Sequence, residues 1–100
     1  MKRQNPVFGA LFTVPLLDGS FAIGQIVGRE PKVFNSWTCA FSRTRIPKKE
    51  SAKLPETLEL ESVVAVQFVT GDLLMKGRWR IYVHAPVRLL RSDFPYERLR

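Results

Sequence analysis

The sequence predicts a small, mainly β domain: five antiparallel strands in a partly or fully closed barrel, with short helical pieces. Three observations carry this. Seven Pro and six Gly are spread through 100 residues, so no amphipathic helix runs uninterrupted for more than about twenty residues. Apolar residues recur at period two in several short runs, the mark of half-buried strands. Turn-forming residues separate those runs, and full or partial closure would protect the sheet edges.

The first strand is expected near 7–15, where Phe8, Ala10, Phe12 and Val14 alternate with their neighbours. Asp18-Gly19 supplies the backbone angles of a tight hairpin. The second strand, near 20–28, resumes with Phe21, Ile23 and Val27 on one face, and Gly24 and Gly28 mark bulges or sharp coiling. Glu30-Pro31-Lys32 breaks the pattern before a third strand near 33–42, with Val33, Trp37, Cys39 and Phe41 on one side.

The stretch RTRIPKKESAKLPETLELES is polar and reads as a loop, with a helical turn near 55–60 after Pro55. VVAVQFV follows, a run of β-branched and apolar residues near 62–70 that reads as a central strand buried on both faces. A second helical turn is expected near 72–76. The fifth strand, near 78–85, alternates cleanly: Trp79, Ile81 and Val83 inward, Arg78, Arg80, Tyr82 and His84 outward. Phe12, Ile23, Trp37, Val66, Phe68, Trp79 and Ile81 are expected to share one core.

A chain of this length supports one core, so residues 1–100 form a single domain, with 1–6 and 92–100 as loosely ordered ends. The content of 45% hydrophobic and 25% charged residues is that of a globular chain rather than a disordered one. The formal net charge of +7 favours acidic partners. Its excess sits in residues 1–45 and 62–100, around a near-neutral 46–61.

Cys39 is the single cysteine and His84 the single histidine, too few for an intramolecular disulfide or a zinc site. A reducing, cytoplasmic compartment and no metal are the expectation. Met1-Lys2-Arg3 ahead of VFGALFTVPLL copies the layout of a secretory signal. However, Pro6 opens the apolar run, Asp18 falls where a cleavage region would lie, and the stretch fits a strand entering a hairpin. No run reaches the ~18 apolar residues of a membrane span, so no membrane association is expected.

Nothing here builds a catalytic constellation. His84 has no second histidine to work with, and Cys39 lies in a strand with apolar alternation. Glu59 and Glu61 read as a solvated loop edge. The glycines form neither a phosphate loop nor a dinucleotide fingerprint, so no cofactor is expected.

Three stretches together resemble the immunity protein 26 family of bacterial polymorphic toxin systems. The first is GALFTVPLLDGSFAIGQIVG, similar to that family's opening order of Gly, Phe, a Pro-Leu pair, Asp-Gly, an aromatic, then Gly before two hydrophobics. The second runs from RTRIPKKE into LELESVVAVQFVTGDLLMKGRWRIYV, resembling its Ile-Pro loop, hydrophobic strand, acidic turn and Gly-x-Trp-x-Ile strand. The third, Ala85-Pro86-Val87, is similar to the Pro-hydrophobic pair after that strand. Order and spacing over roughly residues 7–90 carry the likeness.

Two departures make the surface more basic. Ser42-Arg43-Thr44-Arg45 stands where the family often has Ser-Asp-Glu before its Ile-Pro, and Arg80 where its Trp is often followed by Pro. The resemblance implies a non-enzymatic inhibitor that binds a cognate toxin protein domain in the cytoplasm of the producing cell. Inhibition of this kind needs a preformed surface of roughly 800 Å² per partner with a few aromatic and Arg anchors.

On the residues alone, Arg78, Arg80 and Tyr82 form one exposed basic-aromatic stripe, of the types that carry binding energy, with a plain solvated face as the alternative. Arg45 and Lys48, in the departing loop, add charge that extends the stripe if the fold brings them near. The rival reading is a small β-barrel that binds nucleic acid, which the net charge favours. Against it, the aromatics fall mostly on inward faces and the basic residues are dispersed. Neither reading sets an oligomeric state.

Overall fold

In a computed structural model, the described residues are 4, 6–30, 36–47, 54–69, 74 and 77–88. Five strands form one antiparallel sheet: β1 (Ala10–Pro15), β2 (Phe21–Glu30), β3 (Ser36–Ile46), β4 (Val63–Val69) and β5 (Arg80–His84). The order across the sheet is β4-β3-β2-β1-β5. It is therefore an open sheet with β4 and β5 at its edges, not closed into a barrel. Helix is confined, among the described residues, to a 3-10 turn at Leu60–Ser62 and to Leu74. The helical turn expected near 55–60 is thus shorter and later. No helix among the described residues is long and apolar enough to cross a membrane.

The β1–β2 hairpin forms where its residues predict. Pro15 pairs with Phe21, and between them Gly19 takes φ +87° while its N–H donates to the Leu16 carbonyl at 3.0 Å. Asp18 Oδ1 accepts from the backbone N–H of Ser20 at 2.9 Å and from its hydroxyl, which together hold the Asp18 carboxyl below its usual range. The register of β2 against β3 slips between Ala22 and Gly24 and again between Ile26 and Gly28, the places the two glycines mark.

Gly24 has a second role. It lies opposite Phe12, and a Cβ there would fall 2.5 Å from the Phe12 ring, so the missing side chain is the space the ring fills.

β3 continues to Ile46, beyond its expected end, because Arg45 and Ile46 pair with Ala22 and Phe21 at the far end of the long β2. Arg43 and Arg45 alternate with Thr44 and all three are exposed, so both faces of β3 meet water at this end. β4 corrects the sequence reading more sharply. VVAVQFV is an edge strand with β3 as its neighbour, and Val64 is 64% and Phe68 39% exposed. An uncharged run fits a central strand and an edge equally well, so hydropathy does not distinguish them.

Alternation along the strands gives two apolar clusters, one on each face, instead of the single core expected. One gathers Ala10, Phe12, Ile26, Cys39, Val69 and Leu74, with Trp37, Phe41, Trp79 and Ile81 packed against it. The other holds Leu11, Ile23, Val27, Ala40 and Leu58, flanked by Leu54, Val66, Tyr82 and Val83. Trp37 is half-buried, with the Arg29 guanidinium 4.9 Å above its ring.

Two amides tie the segments that flank β1 and β5 to the sheet. The carboxamide of Gln4 donates to the carbonyls of Leu74 and Trp79 and accepts from the Ile81 N–H, each at 2.7 Å. It serves β5 as a peptide unit of a neighbouring strand would, which blunts that edge. Gln4 is thus held in place within the 1–6 segment expected to be loose, whereas 92–100 lies outside the described residues. Fully buried Gln25 donates to the carbonyls of Gly9 at 3.2 Å and Ala85 at 3.1 Å, leaving its Oε1 without a partner among the described residues.

Candidate partner-binding site

β5 is set by a bulge. Val83 pairs with Leu11, Ile81 with Phe12 and Arg80 with Thr13, so Tyr82 is the extra residue. Strict alternation would place Val83 with Trp79 and Ile81. Instead Tyr82 and Val83 both pack into the cluster with Leu11, while Trp79 and Ile81 remain on the face of Phe12. The inward placement expected for Val83 is therefore corrected: it lies on the opposite face from Trp79, because one added residue reverses the alternation.

Tyr82 keeps the face that alternation gives it, but there it lies under the segment 54–58 rather than out in water. Its hydroxyl donates to the Pro55 carbonyl at 2.6 Å. Burial pushes its pKa up to about 12, so it stays a neutral donor at physiological pH. Leu58 is buried in the cluster below, and Leu54 packs against the same cluster, so this polar-looking segment is pinned by two leucines and one tyrosine.

Between that segment and the sheet lies a cavity of about 270 Å³ lined by Thr13, Phe21, Leu54, Arg80 and Tyr82. β1 supplies Thr13, β2 supplies Phe21, and β5 supplies the remaining strand residues. Arg80 is exposed and makes no ion pair among the described residues. Asp18 pairs with Arg45 at 3.7 Å, and Glu59 with Arg88 at 3.8 Å. Those pairs are solvent-exposed and contribute little to stability.

Of the residues the sequence nominates, Arg80 and Tyr82 come together at this cavity. Arg78 is exposed just before β5. Arg45 does not line the cavity; it lies on β3, in register with Ala22, and pairs with Asp18 of the β1–β2 hairpin. Lys48 lies outside the described residues. Sequence reasoning passed over Thr13, Phe21 and Leu54 as site residues. The signal for Leu54 was present: leucines at 54 and 58 in an otherwise polar stretch indicate a segment that returns to the core.

The remaining reactive groups do not line this cavity. Cys39 is buried on the aromatic face, and burial pushes its thiol up to about 12, so it is protonated at neutral pH. His84 is exposed at the end of β5. Glu59 accepts from the Thr57 hydroxyl at 3.0 Å. Among the described residues, no group of three or more His, Cys, Asp or Glu side chains is placed to hold a metal ion.

Comparison with family models, with curated proteins and with solved structures finds no match to this chain.

Proposed function

We propose that the protein is a non-enzymatic immunity protein that binds and neutralises a cognate toxin domain inside the producing bacterial cell. The observation that carries this reading is the β5 face: a half-buried tyrosine and an arginine unpaired among the described residues, beside an apolar cavity on a sheet with a packed core. Arginine and large aromatic groups around a desolvated pocket are the elements that dominate protein–protein affinity. The net charge of +7 adds attraction for an acidic surface and speeds encounter with it. The order of motifs shared with immunity protein 26 supplies the kind of partner.

The test is calorimetric titration of the purified protein with the toxin domain encoded by the adjacent gene, with the toxin's activity followed in parallel. Saturable binding near equimolar ratio, together with loss of toxicity, is the expected result. Absence of binding, with strong and steeply salt-dependent binding to random oligonucleotides instead, would favour the nucleic-acid reading.

A further inference from the structure

We propose that the cavity lined by Thr13, Phe21, Leu54, Arg80 and Tyr82 receives one large apolar side chain of a partner protein, whose flanking carboxylate is held by Arg80. The proposal rests on the protein-binding reading and specifies the partner's anchor.

Size comes first. At about 270 Å³ the cavity lies just below the ≈ 300–1,000 Å³ of sites that enclose whole small-molecule ligands, and suits a single aromatic or long aliphatic side chain. The walls agree with that. Phe21 and Leu54 are apolar, and Tyr82 offers its ring, since its hydroxyl is committed to the Pro55 carbonyl. Nothing deep in the cavity asks for a polar ligand.

Charge then selects what flanks the anchor. Arg80 is the one cation among the lining residues, is exposed, and has no carboxylate partner among the described residues. Its planar fork matches a carboxylate with two parallel hydrogen bonds. The Thr13 hydroxyl, directly across the β1–β5 ladder from Arg80, adds a second donor at the same place. A nucleic acid would instead require a row of cations tracking successive phosphates, and the lining residues include a single one. An apolar side chain next to an aspartate or glutamate fits both halves of the site.

The cavity is tested without the toxin, by titrating isotope-labelled protein with acetyl-Asp-Phe-amide, acetyl-Asn-Phe-amide and acetyl-Asp-Ala-amide and following backbone amide resonances. The first peptide should shift Thr13, Phe21, Leu54 and Tyr82 with a Kd on the order of millimolar, as befits so small a ligand. The asparagine peptide should bind at least about 3-fold more weakly, and the alanine peptide should leave those resonances in place. Arg80→Gln should equalise the aspartate and asparagine peptides, and Leu54→Trp, which fills the cavity, should abolish the shifts while resonance dispersion shows an intact fold.

No saturable shift at these residues up to about 20 mM peptide would overturn the proposal. Equal affinity for the aspartate and asparagine peptides would overturn its charged half. Peptide binding without toxin binding would sink the immunity reading and leave the cavity standing, and the reverse result would do the opposite.

Discussion

The two faces of the sheet use the same strands for different ends. On one, the Phe12 ring stacks on Trp79 with centroids 5.5 Å apart and planes 8° from parallel, and Phe41 meets both edge-on at 6.0 and 5.8 Å. Gly24 gives the Phe12 ring its seat, so the aromatic cluster leaves no slack. On the other, Thr13 and Arg80 stand across the β1–β5 ladder beside a cavity that the 54–58 segment only partly covers. The contrast teaches that both faces carry a buried apolar cluster, while one of them also holds a cavity, the place where we propose recognition. Substitutions should separate the two.

The largest effect is expected at Phe12. It is fully buried at the centre of the triad, and Phe12→Ala should cost about 3–5 kcal/mol in denaturant titration through lost burial and a cavity. Trp79→Ala carries the sequence-based expectation of the same size, and its stacking on Phe12 supports it. A loss below ~1 kcal/mol at either position would remove the aromatic face as the source of stability. Gly24→Ala comes next. Its new methyl would meet the Phe12 ring, which Trp79 and Phe41 keep from retreating, and should cost about 1–3 kcal/mol by the same titration.

On the cavity face the effects on folding are smaller. Tyr82→Phe removes the hydrogen bond to the Pro55 carbonyl and should cost about 1 kcal/mol. Alkaline pH probes both faces at once. Tyr82 rises from 10.0 to about 12 and Cys39 from 9.0 to about 12 on folding, so above pH 9 the unfolded chain releases protons that the folded one keeps. Stability should therefore fall as pH rises from 9 through 12. Thermal melts across that range should show it, and Cys39→Ala and Tyr82→Phe should each flatten the decline. A flat profile in the parent protein would place both groups in water. Smallest of all, Arg80→Gln should shift stability by less than about 0.5 kcal/mol in the same melts, since the side chain is exposed and unpaired among the described residues.

How much of this is legible in the sequence differs between the same two faces. The hairpin, the register slips near Gly24 and Gly28 and the packing of Trp79 with Ile81 follow from period-two alternation, Asp18-Gly19 and the two glycines, all local signals, whereas the seat of Phe12 against Gly24 is a cross-strand contact. The cavity face depends on longer-range facts. No residue type announces the bulge at Tyr82, which moves Val83 to the other face, or the segment at Pro55 that covers the tyrosine. Leu54 and Leu58 signal a return to the core from a stretch of prolines, lysines and glutamates, but not which strands the segment covers. Nor does VVAVQFV encode how many neighbours its strand has, so its edge position, and the exposure of Phe68, emerge from the sheet order alone.

The central claim is that recognition resides on the β5 face and is separable from folding. Its most direct test is the paired substitution Arg78→Glu with Arg80→Glu, measured by calorimetry against the cognate toxin domain alongside a thermal melt. Both side chains are exposed, so the melt should be unchanged, while affinity should fall at least about 30-fold. Unchanged affinity with an unchanged melt would contradict the account and direct attention to residues 46–61 as the interface.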